Sequence, residues 1–533
     1  MASKPFRHWT QWVFAAAAIL FFFGSLILVN PSNLYVSPDE TANAFFGTRF
    51  SETGSFSTDV NELSLILGDR IHPRSTVSHE GMLKPGSFLG LPFLYGLIAM
   101  VLGSWVFWVL TPLMAILAAE AWRRIMQHLM SPELATLSAG IFLLHPALWY
   151  YSARGLMHNV LFVSVLVIGV WMLVDRPVRQ KKKVHWLNDP LGGFLLMLAL
   201  MVRTSELWWV IGLALIGGLV FFPRLSFRRV GNVFLGVLVG AVLMLGANTL
   251  VYGGPFVTGY TVGLENVSID LTAGDSVDGV AIFPFGIHPR SAWLHFNAYG
   301  VQLFWWLSVL TVLGVFTFLA DKKRRLWRWV FTMSFVLIGA WLVLMYGSWE
   351  IHDNPDPSQI TMANSYVRYW LPMYLMSSVF VASAIGWMIQ RGRTPIAKGL
   401  FVGGFCLFLL GLSINTTFVH GDDALLQARQ SLLTSSEIQA SVLSLVEADA
   451  VVIVDRADKL FFPHRNVWYP LRDEATYDAM PILVEHGPLY YYGITFPDVD
   501  LTYLNESRLK RMGLQIERLE TYHLESLYRI YPE

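Results

Sequence analysis

The chain has little cysteine and little charge, and each shortage excludes a class of protein. Its 533 residues include one cysteine, Cys406, so an intrachain disulfide is excluded. Charged residues make up 14% of the chain and hydrophobic residues 54%, whereas an average soluble domain is about 25% charged. A single soluble globule is therefore excluded. The formal net charge of zero does not provide the basic face that phosphate backbones require, so no nucleic-acid partner is predicted.

The charges are distributed unevenly along the chain. Residues 420–533 contain 10 basic and 18 acidic residues, roughly a quarter of that stretch, which is the value of a soluble domain. The first 419 residues are only roughly 11% charged. We therefore predict two domains: an all-α polytopic membrane domain over residues 1–419, and a small soluble α/β domain over residues 420–533.

Apolar stretches in the first domain are long enough to cross a bilayer, which takes about 20 helical residues. They cover residues 11–29, 104–121, 134–152, 157–174, 188–204, 207–222, 231–252, 301–320, 327–347, 366–390 and 398–418. Short basic segments separate several of them, and such segments stay cytoplasmic. The basic segments are Lys4/Arg7, Arg123/Arg124, 176–183, 224–229, 322–328 and 391–398.

A further apolar run at residues 86–102 decides the topology. If it crossed the membrane, the basic segments between residues 123 and 229 would lie outside, against the positive-inside rule. If it lies at the interface, all the basic segments share one side. We therefore predict about eleven transmembrane helices in a multi-pass plasma (inner) membrane protein. The N-terminus is predicted to be cytoplasmic and the C-terminal domain extracytoplasmic.

The soluble domain shows mixed helix and strand patterns. A helix is predicted over residues 423–446, a strand over 450–455, a helix near 501–512, and a strand pair within 514–531 joined near His523. The aromatic run Tyr490–Tyr492 fits either stacking on sugar rings or core packing.

The first long external loop, residues 30–103, opens with a sequence pattern typical of a helix start. In Ser37-Pro38-Asp39-Glu40, a serine N-cap, a proline at the first helical position and a glutamate three residues after the cap form a capping box. Gly54 ends this helix. It is one of two interfacial helices predicted in the first external loop, and the other covers residues 86–102. Asp39 is not needed for the cap. At the membrane surface its carboxylate is placed to take a proton from a hydroxyl group, although an interaction with the helix dipole also explains it.

Several basic and phenolic residues are predicted to bind a phosphate on the same side. Lys84, followed by Pro85-Gly86, is predicted to start a helix, where free N–H groups and an ammonium together hold a phosphate. Alternatively, Lys84 is an interfacial lysine whose side chain extends toward lipid headgroups. Arg203 and Arg368 end or begin spans, and each fits either phosphate binding or interface anchoring. Tyr260 is a further candidate donor to the phosphate.

These features occur in an order that resembles a known family. In sequence they are Asp39-Glu40, Lys84-Pro85, Leu102-Gly103, Trp122-Arg-Arg124, Ala153-Arg154, residues 248–260, and Arg368-Tyr-Trp-Leu-Pro372. The layout over most of residues 1–420 resembles the C-type polytopic glycosyltransferases that use polyprenyl-phosphate sugars, such as protein O-mannosyltransferases and the aminoarabinose transferases of lipid A. The resemblance implies that Asp39, with Glu40 beside it, is the catalytic carboxylate.

The chain departs from the family pattern after the third span. Those enzymes often carry an arginine and, some five residues later, a second acidic residue. Here Arg154 is followed by Gly-Leu-Met-His158-Asn159, without a carboxylate. Arg154 and His158 are possible acceptor or second-loop site residues, and His158 also fits a metal ligand or a polar surface residue.

The metal requirement is left open by the sequence. A divalent cation is possible, but the histidines and acids of the two long loops match no strong metal motif. Those residues are His72, His79, Glu80, Asp278, His288 and His295.

The leading hypothesis is an enzyme, an inverting hexosyl- or pentosyltransferase of the cell envelope. Asp39 deprotonates an acceptor hydroxyl of a glycan, lipid or protein, and the hydroxyl attacks a sugar on a polyprenyl monophosphate. Lys84, Arg203 and Arg368 stabilise the leaving phosphate. Two alternatives remain: a transporter or flippase of lipid-linked sugars, and a ligase or polymerase that uses lipid-diphosphate donors. The scarcity of ionisable residues within the spans disfavours transport.

Overall fold

The apolar stretches of the sequence fold into helices in this computed structural model, which describes residues 4–60, 62–174, 187–221, 226–266, 283–351, 353, 359–391 and 394–533. In chain order, the α-helices are α1 (Lys4–Ser25), α2 (Pro38–Thr53), α3 (Glu62–Ile66), α4 (Gly90–Leu102), α5 (Val106–Met126), α6 (Pro132–Leu143), α7 (Pro146–Ala153), α8 (His158–Val174), α9 (Asn188–Val202), α10 (Leu207–Phe221), α11 (Phe227–Tyr252), α12 (Gly259–Asn266), α13 (Pro289–His295), α14 (Trp305–Ala320), α15 (Arg325–Gly347), α16 (Ser365–Tyr369), α17 (Leu371–Gln390), α18 (Pro395–Ile414), α19 (Leu425–Leu445), α20 (Asp458–Phe461), α21 (Glu474–His486) and α22 (Asp498–Tyr503).

The strands form two small sheets. They are β1 (Thr58–Asp59), β2 (Thr76–His79), β3 (Met82–Pro85), β4 (Val451–Val454), β5 (Asn466–Trp468), β6 (Leu489–Ile494), β7 (Leu514–Tyr522) and β8 (Glu525–Pro532). The first sheet is antiparallel, in the order β1-β3-β2. The second has the order β5-β4-β6-β8-β7, with β5, β4 and β6 parallel and β8 antiparallel to both of its neighbours.

Each predicted apolar stretch coincides with one or more helices, and the two helices expected in the first external loop are α2 and α4. By length and composition, five helices of the described residues can cross a membrane, or up to eight if each bent pair counts as one span. The number of crossings therefore stays a prediction. Residues 176–183 and part of 224–229, used in the topology argument, lie outside the described residues.

The chain divides into two compact units. The first unit contains residues 1–28, 107–246 and 271–428, and the second contains residues 29–106, 247–270 and 429–533. The domain boundary predicted at residue 420 stays a prediction.

The first unit is a packed array of helices, in which α8 lies against α9 and α14 against α17. Gly314 on α14 shows how close the approach is: a Cβ there would lie 1.9 Å from the carbonyl oxygen of Phe380 on α17. Small residues are what allow helix backbones to approach in this way. Pairs α7/α8 and α9/α10 bend sharply, by 115° and 116°. At each bend one helix ends and the next begins, and this fixes the position of the side chains at the bend.

The second unit has its own hydrophobic core around the five-stranded sheet. Strand β4 is buried along its whole length, and Tyr490, Tyr491 and Tyr492 of β6 are at most 1% exposed. Core packing is therefore the correct interpretation of the tyrosine run. Leu63 and Ile71, from the first external loop, belong to the same core. The loop and the C-terminal residues of this unit fold together.

The secondary structure predicted for the C-terminal residues is mostly confirmed. Helix α19, strand β4 and the pair β7/β8 all form, with His523 in the connecting turn at φ 57°. The helix predicted near 501–512 is confirmed in part: α22 is followed by a π-helical segment, Leu504–Arg508, and a 3-10 segment, Lys510–Met512. Helices α20 and α21 and strands β5 and β6 were not predicted.

The first external loop corrects the expectation of an all-α first domain. Strands β2 and β3 form a hairpin whose loop, Glu80-Gly81, has positive φ at both residues (54° and 73°). Such a two-residue loop matches the twist of paired strands. Each strand has four residues, which is too short for the alternation pattern to be noticed in a sequence.

Candidate functional site

Asp39 lies in the first turn of α2 and is half-buried. The predicted capping box is present: Ser37 accepts from the Glu40 backbone, and the Glu40 carboxylate accepts from the Ser37 N–H at 3.0 Å. The cap also explains why Glu40 is buried, at 2% exposed. Glu40 is therefore committed to the helix start, and its catalytic role stays a prediction. Asp39 takes no part in the cap.

A hydroxyl group fixes the Asp39 carboxylate. Ser75 Oγ donates a hydrogen bond to Asp39 Oδ1, and the carbonyl of Ser75 accepts from the N–H of Gly86 at 3.0 Å. Ser75 has φ 62°, in the left-handed region that non-glycine residues adopt only at a cost of about 1–2 kcal/mol. The turn that holds Asp39 is therefore maintained by its surroundings. Ser75 was not predicted as a partner of Asp39, because the two residues are 36 positions apart in the chain.

Lys84 is on strand β3, opposite Val77, and is 7% exposed. The prediction that Lys84-Pro85 opens a helix is wrong. Both residues end the strand, and α4 begins later, at Gly90. The N–H of Gly86 is bonded to Ser75, so the free amides expected at a helix start are not available at Gly86. Lys84 nevertheless lies two residues before Gly86, which Ser75 contacts, and its phosphate-binding role stays a prediction.

The tyrosines of the second long loop contact the same segment. Tyr252 Oη donates to the carbonyl of Pro85 at 2.8 Å, and it lies 3.2 Å from that of Ser87. Tyr260 is 54% exposed, with its ring 4.9 Å from that of Phe88. Tyr260 is thus accessible, while Tyr252 is engaged by the backbone.

In the first unit, Arg154 and His158 flank the 115° bend between α7 and α8. Arg154 is the C-cap of α7 and is 5% exposed, with its guanidinium 5.9 Å from the rings of both Tyr150 and Tyr151. His158 is the first residue of α8 and is 7% exposed. The interpretation of His158 as a polar surface residue is therefore wrong.

Arg368 reaches the same bend from α16. Its Nη1 lies 2.7 Å from the sulfur of Met157, the residue before His158, and its Nη2 donates to Ser365 Oγ at 2.8 Å. Its guanidinium also lies 5.2 Å from the ring of Tyr369. Arg368, named from a separate part of the sequence, thus reaches the bend that Arg154 and His158 flank.

Arg203 is connected to this group through an aromatic ring. It caps α9, and its guanidinium lies 4.6 Å from the ring of Tyr369, which Arg368 also contacts. Its Nε is 2.5 Å from Glu206 Oε1, and its Nη2 donates to Tyr346 at 2.8 Å. Arg203 is 8% exposed and Glu206 1% exposed. Arg203 is therefore a buried, neutralised cation and not an exposed interface anchor.

We use the name arginine cluster for Arg154, His158, Arg203, Arg368 and Tyr369. The arrangement is suited to binding an anion, since guanidinium groups present several donors in a fixed plane. The partners of Arg203 were only partly foreseeable: the spacing of Arg203 and Glu206 is that of an i,i+3 pair, whereas Tyr346 and Tyr369 are far away in sequence.

No group of three or more His, Cys, Asp or Glu side chains is placed to hold a metal ion within the part of the chain that the structure describes. Asp278, one of the loop residues considered above, lies outside that part. His72 is half-buried, and burial lowers its pKa.

Comparison with known proteins identifies the fold. No family model and no curated protein matches the sequence. The structure is similar to ArnT from Cupriavidus metallidurans, crystallised bound to undecaprenyl phosphate, with a TM-score of 0.56 and 11% identity over 98% of both chains. The predicted resemblance is thereby confirmed at the level of the fold.

Two further matches are structures of the Archaeoglobus fulgidus oligosaccharyltransferase. The apo form has a TM-score of 0.48 and 10% identity over 94% of this chain and 70% of that one. The complex with Zn and sulfate has a TM-score of 0.46 and 11% identity over 93% and 68%.

Proposed function

We propose that this protein is a membrane glycosyltransferase that moves a sugar from a polyprenyl monophosphate to an acceptor hydroxyl on the extracytoplasmic side, with inversion at the anomeric carbon. The observation that carries the proposal is the fold shared along nearly the whole of both chains with ArnT, whose crystal structure contains undecaprenyl phosphate. The long apolar helices are consistent with a donor whose lipid tail stays in the bilayer.

Asp39 acts as the general base in this proposal. It takes the proton of the acceptor hydroxyl, whose oxygen attacks the anomeric carbon from the face opposite the phosphate. The bond between that carbon and the phosphate oxygen breaks, and polyprenyl phosphate leaves with the electron pair. The Ser75 hydroxyl supports this role because it orients the carboxylate through one oxygen, Oδ1, and an ionised carboxylate accepts through two.

The arginine cluster stabilises the leaving phosphate. The phosphate gains negative charge as the sugar departs, and fixed cations stabilise that charge more strongly in a site from which water is excluded. Arg368 and Arg154 are the main candidates, because both guanidinium groups lie at the α7–α8 bend. Arg203 is a weaker candidate, since Glu206 already neutralises it. Lys84 and Tyr260 are kept as further phosphate ligands.

The test is a transfer assay on the purified chain with a radiolabelled polyprenyl-monophosphate sugar. We expect label to pass to an acceptor in the presence of wild-type protein. Movement of the labelled lipid between vesicle leaflets without transfer would instead show a flippase. Transfer only from a diphosphate-linked donor would show a ligase or polymerase. A chelator added to the same assay tests the need for a divalent cation.

A further inference from the structure

Asp458 is joined to Asp39 by a continuous chain of contacts within the second unit. Asp458 is the first residue of α20, and Arg74 bonds to both of its oxygens: the Arg74 backbone N–H to Oδ2 at 3.1 Å, and the guanidinium to Oδ1 at 2.5 Å. The next residue, Ser75, donates to Asp39. Two hydrogen-bonded contacts, joined by the peptide bond between Arg74 and Ser75, thus connect the two carboxylates.

A second connection leaves the same short helix. Lys459 Nζ donates to the carbonyl of Val36 at 3.0 Å, immediately before the N-cap of α2. The ring of Phe462, which follows α20, packs edge-on against Phe45 of α2 at 4.8 Å. The α20 segment therefore holds both the start of α2, which carries Asp39, and the turn whose hydroxyl contacts Asp39.

The contact of Asp458 with Arg74 is built as a backbone clamp. The side chain of Asp458 is 1% exposed, whereas that of Arg74 is 30% exposed. Arg74 also donates from Nη2 to the carbonyl of Arg456 at 2.6 Å. Because Asp458 accepts from the backbone N–H of Arg74 as well as from its side chain, it fixes the backbone at Arg74, the residue before Ser75. The ion pair is buried on the Asp458 side only, and it ties that buried carboxylate to the residue before Ser75.

We propose that Asp458 is a positioning residue for Asp39 and acts through Arg74 and Ser75. This inference rests on the proposed function. Asp458 does not touch the substrate. It holds the left-handed turn at Ser75, and so sets the direction in which the Asp39 carboxylate faces the acceptor hydroxyl. The C-terminal residues then contribute to catalysis through geometry.

Steady-state kinetics on the full-length chain test this proposal. We expect Asp458→Asn to lower kcat by about tenfold to a hundredfold, the scale of a small misplacement of a reacting group. The KM for the donor stays within about twofold of wild type, because binding is unaffected. Ser75→Gly gives the same loss of kcat, while its melting temperature equals or exceeds that of wild type, since glycine suits a positive φ.

The matched control is Arg70→Gln. Arg70 and Asp473 form an ion pair at 3.7 Å that also links the first loop to the C-terminal residues, but both side chains are well exposed, and the pair does not lead to Ser75. We expect this variant to keep wild-type kcat. The double variant Asp458→Asn/Asp39→Asn should be no slower than Asp39→Asn alone, because both changes act on one group.

Three results would overturn the proposal: Ser75→Gly with unchanged kcat, Asp458→Asn with the same rate as Arg70→Gln, or losses that multiply in the double variant. Ser75→Gly keeps the test decisive if Asp458→Asn fails to fold. The failure of the proposed function looks different. In that case Asp39→Asn itself retains full transfer.

Discussion

The region around Asp39 and the arginine cluster hold their side chains in place by different physical means. Around Asp39, the hydroxyl of Ser75 fixes the carboxylate, and the left-handed turn at Ser75 is held by the ion pair between Arg74 and the buried Asp458. In the arginine cluster, helix ends place the cations and aromatic rings pack against them. A position set by a chain of single contacts fails when one link is lost. A side chain that is held in place by a helix end depends less on any single contact. Substitutions in the two regions should therefore have different effects.

The largest expected effect is that of Asp39→Asn, which tests whether the carboxylate in the first of these two regions is the general base. Removing a general base should lower kcat by about 10²–10⁴-fold. The loss should appear in kcat with little change in donor binding, measured by transfer of radiolabelled sugar. Asp59→Asn is the matched control, because Asp59 is an exposed aspartate of the same loop. Equal rates for the two variants would remove Asp39 from the mechanism.

Arg368→Gln is expected to have the next largest effect and tests whether the arginine cluster stabilises a departing anion. We expect kcat to fall by about 10²–10³-fold, the usual loss when one such donor is removed. Arg368→Lys should recover only part of this loss, because an ammonium does not reproduce the planar guanidinium. Arg290→Gln removes an exposed arginine of the same unit and serves as the control. If Arg368→Gln matched that control, the cluster would be structural.

Arg203→Gln should lower the stability of the protein. This would distinguish the role of Arg203 from that of Arg368, the other arginine whose guanidinium contacts the ring of Tyr369. Glu206 would be left buried and uncompensated, which should cost about 3–5 kcal/mol of the free energy of unfolding. The double variant Arg203→Met/Glu206→Gln should recover most of this loss. Thermal unfolding in detergent measures both. A melting temperature unchanged by Arg203→Gln would contradict the assignment.

The smallest effect concerns pH and sharpens the account of the second unit. Burial lowers the pKa of His72 below its ordinary value of 6.5, and the nearby Asp69 opposes this only in part. Stability is therefore full above the ordinary value and decreases as pH falls from there through the lower pKa of the folded state. We expect His72→Gln to show a shallower loss of melting temperature between about pH 7.5 and about pH 5. A profile identical to that of wild type would contradict this prediction.

The sequence predicted the parts of the fold that depend on local pattern. The apolar runs gave the helices, and the Ser37–Glu40 spacing gave the capping box. Arg154 and His158 were chosen from one stretch and Arg368 from another, and Arg368 reaches the helix bend that the first two flank. The sequence could not place Ser75 against Asp39 or Arg74 against Asp458, because those contacts join residues far apart in the chain. Lys84 was assigned to the wrong element, since a four-residue strand leaves too short a pattern.

The most direct test of the central claim is the stoichiometry of the reaction. Purified wild-type chain is incubated with a polyprenyl-monophosphate sugar, and both the free polyprenyl phosphate and the anomeric configuration of the product are measured. The account predicts one polyprenyl phosphate released for each sugar transferred, with inverted configuration, and loss of both in Asp39→Asn. Lipid movement without release of polyprenyl phosphate, or a product with retained configuration, would contradict it.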